Sequence, residues 1–149
     1  MRILAVLPLL VSLVLPAPAG AAPRADLVRA LEVLHAWDAR RAQAWADSDA
    51  AALGSLYVRG SGAGRADVRL LRAYEAHGFV VRRLVTQVFA VRVLHQDSIG
   101  LRLRVLDRVA GGEVRRDGHS QPLSSTPPVA RILELRRVSG RWLAESVSG

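Results

Sequence analysis

Asp38 and Arg41 are the residues best placed to do chemistry. They lie three residues apart in a stretch whose apolar residues recur every three or four positions. On a helical projection of residues 26–47 both fall close to the centre of the apolar stripe, between Leu34 and Trp45. Charges in such a position must be paired. Two roles fit the pair. In one, Asp38 is a general base and Arg41 anchors an anionic or carbonyl oxygen. In the other, which buried charges more often take, the two form an ion pair that ties the helix to its neighbours. Asp107 is the second candidate. It shares the parity of Leu103 and Val105 in an alternating stretch, which directs it inward at a strand end. Its competing role is to cap a turn or pair with a nearby arginine.

Other chemistries find little support. His35, His77, His95 and His119 are isolated, with no two at a helical metal-ligand spacing and no cysteine beside them, so no metal is expected. Ser61 lies between glycines, but a nucleophile elbow would need glycine at the positions of Arg59 and Ala63. The Gly60, Gly62, Gly64 series has Arg65 where a dinucleotide-binding loop needs its third glycine, which leaves a connector and no cofactor. Trp37 and Trp45, two turns apart on the packed side, are core residues or line a cavity. Trp142 anchors its strand.

The elements that must position these residues change type once. From Asp26 to His77 the apolar period is helical, and from Phe79 to Val147 it alternates, with Gly78 at the switch. Helices followed by strands predict an α+β domain, with three N-terminal helices packed on an antiparallel sheet. The first helix carries Leu27, Ala30, Leu31, Leu34, Trp37 and Trp45 on one side. Ser48 or Asp49 caps a short second helix through Leu53, Leu56 and Tyr57. After a Gly60–Gly64 loop, a third helix is expected from near Ala66, with Asp67 in its first turn, Leu70, Leu71 and Tyr74 inward, and Gly78 at its end. A long strand from Phe79 to His95 turns at Gln96-Asp97 into a second strand that closes at Ala110-Gly111-Gly112. Residues 113–128 give a short strand and a loop, and residues 129–138 and 141–147 form a hairpin around Ser139-Gly140.

The first residues read as an export signal. Arg2 supplies a positive start, Ile3 to Leu15 is an uncharged apolar run, and Ala17-Pro18-Ala19 offers a cleavage site, so residues 1–21 are assigned as signal peptide and residues 24–149 as a single domain. Prolines 8, 16 and 18 argue against a retained anchor, and the expected location is secreted or cell envelope. The formal net charge is +8, and all 21 basic residues are arginine. That bias fits a GC-rich coding sequence as well as an anionic partner. Arg102, Arg104 and Arg108 share one strand face, and Arg82 and Arg92 are expected beside them as an outer row. Such a row would meet phosphate-bearing envelope polymers, lipid head groups peripherally or an acidic protein; nucleic acid is not an expected partner of an exported chain.

The long first helix, the Ser48-Asp49 cap, the short helix ending in Leu56-Tyr57, the third helix and the terminal hairpin Leu135-Arg136-Arg137-Val138-Ser139-Gly140-Arg141-Trp142 together resemble the NTF2-like superfamily, nearer its SnoaL-like members. The resemblance implies a curved sheet wrapping the first helix into an open cone. It turns Asp38 and Arg41 toward the cone's cavity, and makes Asp107 with Tyr57 or Tyr74 a carboxylate–phenol pair able to move a proton beside a carbonyl. Trp37, Trp45 and Tyr74 would contact a ligand. The Gly-rich loop replaces a strand that commoner members carry between the second and third helices. Members of the superfamily differ widely in activity. The expected function is therefore non-catalytic binding of a small apolar ligand or an envelope partner. The alternative is a cofactor-independent lyase, isomerase or hydrolase. Dimerisation through the sheet is also implied, although the arginine row opposes it unless Glu134 or Glu145 intervenes.

Overall fold

The computed structural model describes residues 21–149, with side chains from Arg24 onward. The signal-peptide assignment lies outside the described residues. Three helices precede five strands: α1 (Ala21–Ala46), α2 (Ala50–Gly54), α3 (Gly62–Ala76), β1 (Val80–Gln96), β2 (Gly100–Arg116), β3 (His119–Pro122), β4 (Val129–Val138) and β5 (Arg141–Ser148). The strands form one open antiparallel sheet in the order β1-β2-β4-β5, with β3 also paired to β2. No described helix is long and apolar enough to cross a membrane.

The inner face follows from side-chain period. On α1 the buried stripe is Ala30, Leu34, Trp37, Ala44 and Trp45. On β2 and β4 alternate residues Leu101, Leu103, Val105, Leu133 and Leu135 close the core from the sheet side. Each fully buried aliphatic side chain contributes roughly 1.5–3 kcal/mol. Asp49 caps α2 by accepting from the Ala52 amide at 2.8 Å. The hairpin joining β4 to β5 turns through Ser139 and Gly140, both with positive φ, which matches the right-handed twist of paired strands.

Three expectations about element ends are corrected. The second helix, expected through Leu56 and Tyr57, ends at Gly54, and the Leu56 and Tyr57 amides close tighter turns onto Leu53 and Gly54 at 3.2 Å. The third helix starts at Gly62, not near Ala66, because Ser61 caps it through a hydrogen bond from the Gly64 amide to its hydroxyl (3.2 Å). Gly64 is needed there: a Cβ would lie 2.7 Å from the Tyr57 side chain. Leu70, expected inward, is 50% exposed, and the buried stripe of α3 is instead Gly64, Asp67 and Leu71. The second strand does not close at Ala110-Gly111-Gly112. It runs on to Arg116 because Gly112, at φ +155°, lets the backbones of Arg82 to Leu84 approach to within about 3.3 Å of where a Cβ would stand. Register shifts there and at three other points bend the β1–β2 pair.

The missing strand between the second and third helices has a one-residue substitute. Tyr57 bridges Ala144 of β5, with the Val58 amide donating to the Ala144 carbonyl and the Ala144 amide donating to the Leu56 carbonyl, each at 2.9 Å.

The long strand β2 has β1 along one side and two partners along the other. Residues 100–107 pair with β4, and residues 113–116 pair with β3. The strap from Leu123 to Pro128 crosses the gap between them. It is fixed by bonds from Leu123 N to Gly112 O (3.0 Å), Thr126 N to Val109 O (2.9 Å) and Val109 N to the Thr126 hydroxyl (3.2 Å).

Candidate functional site

Asp67 is the electrostatic centre of the interior. On α3, whose first turn Ser61 caps, Asp67 lies four residues before Leu71 on the buried stripe and faces α1. Arg41 grips it as a fork, Nε to Oδ2 and Nη2 to Oδ1, both at 2.7 Å. The Tyr57 hydroxyl donates to Oδ2 at 2.7 Å, and Trp45 Nε1 donates to Oδ1 at 3.2 Å. The carboxylate thus receives two hydrogen bonds on each oxygen. Burial and the adjacent Asp67 charge both push the Tyr57 phenol well above its ordinary range, so it stays protonated. Burial opposes the Arg41 charge, but its hydrogen bonds and attraction to Asp67 prevail and keep it cationic.

The expected Asp38–Arg41 pair does not form. Arg41 turns to α3, where Asp67 offers both oxygens in a buried setting. Asp38, half-buried, instead accepts from the Thr86 hydroxyl on β1 at 3.2 Å.

Beside this hub lies a cavity of about 500 Å³ whose lining includes Arg41, Tyr57, Asp67, Thr86, Asp107 and Arg131. Asp107, at 6% exposure, faces inward as its parity requires. It is held by Arg131 of β4, with Nε donating to Oδ2 at 3.0 Å and Nη2 donating to the same oxygen. Asp107 Oδ1 has no hydrogen-bond partner among the described residues. A second hollow of about 260 Å³ adjoins, sharing Arg41, Leu70, Val109 and Thr126 with the first. It is walled by Trp45, Tyr74, Val81 and Leu84 under the strap. The larger hollow gathers most of the charged groups but is also walled by Trp37, Leu70, Val129 and Val147, and the smaller one is mostly apolar.

Of the residues singled out in the sequence, Trp37, Arg41, Tyr57 and Asp107 line the larger cavity. Trp45 and Tyr74 line the smaller hollow. Asp38 lines neither and reaches the site only through Thr86. Trp37 is locked in place by donation to the Leu56 carbonyl (3.0 Å) and an edge contact with Tyr57. Tyr74 makes a matching edge contact with Trp45.

The outer arginine row is broken. Arg92 and Arg104 are register partners, but Arg82 lies opposite Glu113 at the far end of β1, beyond the bends. Arg102 pairs with Glu134 at 3.2 Å, and Arg108 donates to Gln87 and lies over the Phe89 ring. Among the described residues, no three His, Asp or Glu side chains converge as metal ligands.

Comparison with known proteins follows the same line. No family model and no curated protein matches the sequence. Solved structures do. Aln2 from a Streptomyces species matches at 17% identity with a TM-score of 0.55, over 80% of this chain and 88% of that one. Rv3472 from Mycobacterium tuberculosis, described as of unknown function, matches at 13% identity with a TM-score of 0.56, over 86% of this chain and 75% of its own. An NTF2-like protein with a cystatin-like fold from Novosphingobium aromaticivorans matches at 20% identity over 85% and 84%, with a TM-score of 0.49. The chain shares its α+β fold with Aln2 and Rv3472. At these identities the likeness is one of fold alone, and a fold does not carry a function with it.

Asp67, Thr86, Thr126 and Arg131 are site residues that the sequence reading did not single out. Two had visible signals. Arg131 alternates with Leu133 and Leu135, so β-strand parity turns it inward. Asp67 stands four and seven residues before Leu71 and Tyr74, on their helical stripe.

Proposed function

We propose that this chain is an exported binding domain that takes a small amphiphilic molecule between its helices and a cone-like curved sheet, without transforming it. The apolar body lies against Trp45, Tyr74, Val81 and Leu84, and a carbonyl or carboxylate end meets Arg41, Thr86 and Arg131. The observation that carries this reading is a pair of adjoining hollows, of a size suited to a small ligand, with apolar walls and with Arg41, Thr86 and Arg131 lining the larger one. Asp67 favours binding over catalysis, since its oxygens are already occupied by Arg41, Trp45 and Tyr57. The export signal read at residues 1–21 supports an extracytoplasmic setting.

The test has two parts. Organic extracts of natively purified protein are examined by mass spectrometry, and binding of the anionic fluorophore anilinonaphthalenesulfonate is titrated. Leu70→Trp, at a half-exposed position bordering both hollows, should remove saturable binding without lowering Tm. A wild-type protein that carries no small molecule and shows no saturable fluorophore binding overturns the reading.

A second reading, a cofactor-independent lyase, isomerase or hydrolase, is favoured by the free Oδ1 of Asp107, which could accept a proton from a bound substrate. Asp107→Asn distinguishes the two. Loss of turnover of a bound molecule with retained affinity would support the enzyme.

A further inference from the structure

The opposite face of α3 forms a separate groove of about 450 Å³, lined in part by Val58 and Val68 and by Arg59, Arg65, Arg69 and Arg72. Three of these arginines follow from helix geometry. Residues 65, 69 and 72 are spaced by four and three, so they share one face over roughly 10 Å of axis. Arg59 comes from the loop before the helix. The Arg65 guanidinium is braced against the wall by donation from Nη1 to the Gly60 carbonyl at 2.6 Å.

No acidic residue lines the groove. Among the described residues, none of these four arginines lies within 4 Å of a carboxylate. On the sheet the pattern is mixed: among the described residues Arg82, Arg92, Arg104 and Arg137 are likewise without a carboxylate within 4 Å, but they are spread along the strands, and others are paired. Arg83 and Arg115 meet Glu113, Arg102 meets Glu134, Arg116 meets Asp117 and Arg136 meets Glu145. A coding bias toward arginine explains how many there are. It does not explain four without counter-charges converging on one concavity.

We propose that this groove binds a small soluble ligand bearing two or more linked phosphate groups. Guanidinium forks match phosphate oxygens in pairs, and four of them within one groove call for more than a single anionic charge. The concave shape admits such a chain among the four arginines. A bilayer surface would need a flat or protruding face, and no exposed large apolar side chain lines this groove. The site is independent of the cavity on the inner side of α3, with only Tyr57 touching both.

The full chain is titrated calorimetrically with tripolyphosphate, pyrophosphate and orthophosphate, at low and physiological salt. Tripolyphosphate should bind most tightly, and binding should weaken as salt rises. Arg69→Ala/Arg72→Ala, at exposed helix positions where alanine favours the helix, should weaken it by at least about tenfold with the circular dichroism spectrum unchanged. Arg92→Ala/Arg104→Ala removes the same charge from the sheet and should leave affinity nearly unaltered. Equal losses in the two double variants would make net charge the cause and overturn the proposal. So would no preference for tripolyphosphate over orthophosphate, or binding to phosphatidylglycerol vesicles that tripolyphosphate does not displace.

Discussion

Replacing Asp67 with asparagine keeps the side-chain shape and removes the negative charge around which Arg41, Trp45 and Tyr57 are arranged. Whichever way the amide turns, one of the two positions now holding an oxygen becomes an NH2 group facing Arg41. The fork then loses a hydrogen bond, and the guanidinium loses its counter-charge. Removing one partner of a buried ion pair costs about 3–5 kcal/mol. Arg41 keeps 22% of its side chain exposed and borders the cavity, so water can reach part of it. That places the expected cost at the lower end, about 3 kcal/mol, or a fall in Tm of roughly 10 °C for a domain of this size. The assay is urea denaturation at neutral pH for the wild type, Asp67→Asn, Arg41→Met and the double variant. Because the two residues are one unit, the double variant should be less destabilised than the sum of the singles by about 2 kcal/mol. A cost for Asp67→Asn below about 1 kcal/mol, or simple additivity, would refute the claim that this ion pair organises the interior.

Three further outcomes follow from the same contacts. The Tyr57 phenol titrates above its ordinary value near 10 in the folded chain, so above pH 10 the unfolded state releases a proton that the folded state retains. Stability then declines with rising pH by up to about 1.4 kcal/mol per pH unit, and Tyr57→Phe should flatten that decline in urea titrations at pH 9–11. Arg131→Ala strands a buried Asp107 and should cost about 3 kcal/mol, whereas Asp107→Leu/Arg131→Leu should recover most of the loss; equal stability of the two variants would deny the pairing. Gly64→Ala drives a methyl group into Tyr57 and should destabilise by about 1–3 kcal/mol in thermal melts, more than Gly60→Ala, where the added carbon meets open space and only the positive φ is strained.

What the sequence made legible was periodic. The switch at Gly78 separates helices from strands because apolar spacing of three or four and of two cannot serve the same element, and the structure turns there with Gly78 at φ +74°. Strand parity likewise turned Asp107 inward. The misreadings occurred where a local cap or close contact decides the outcome. Without knowing that Ser61 accepts from Gly64, the third helix reads as beginning four residues late. Asp67 then reads as a first-turn acid favoured by the helix dipole, when it is a buried counter-ion. That one displaced boundary also explains the wrong partner for Arg41. With Asp67 read as a first-turn acid, Asp38 is the nearest acid to Arg41 in sequence, and nothing local shows that Thr86 on β1 takes it.

The same boundary lengthens both faces of α3. The 3.6-residue period sets Asp67 and Leu71 on the inner stripe and Arg69 and Arg72 on the outer one, and the start at Gly62 adds Gly64 to the first and Arg65 to the second. A start four residues later would leave Ser61 and Gly64 in a loop, with nothing to fix Asp67 against Arg41. The hub and the basic groove thus lie on two faces of one helix whose first turn is held by the Ser61 hydroxyl. A Ser61→Ala change should disturb the hub and the groove together, although Ser61 touches neither Arg41 nor Arg69.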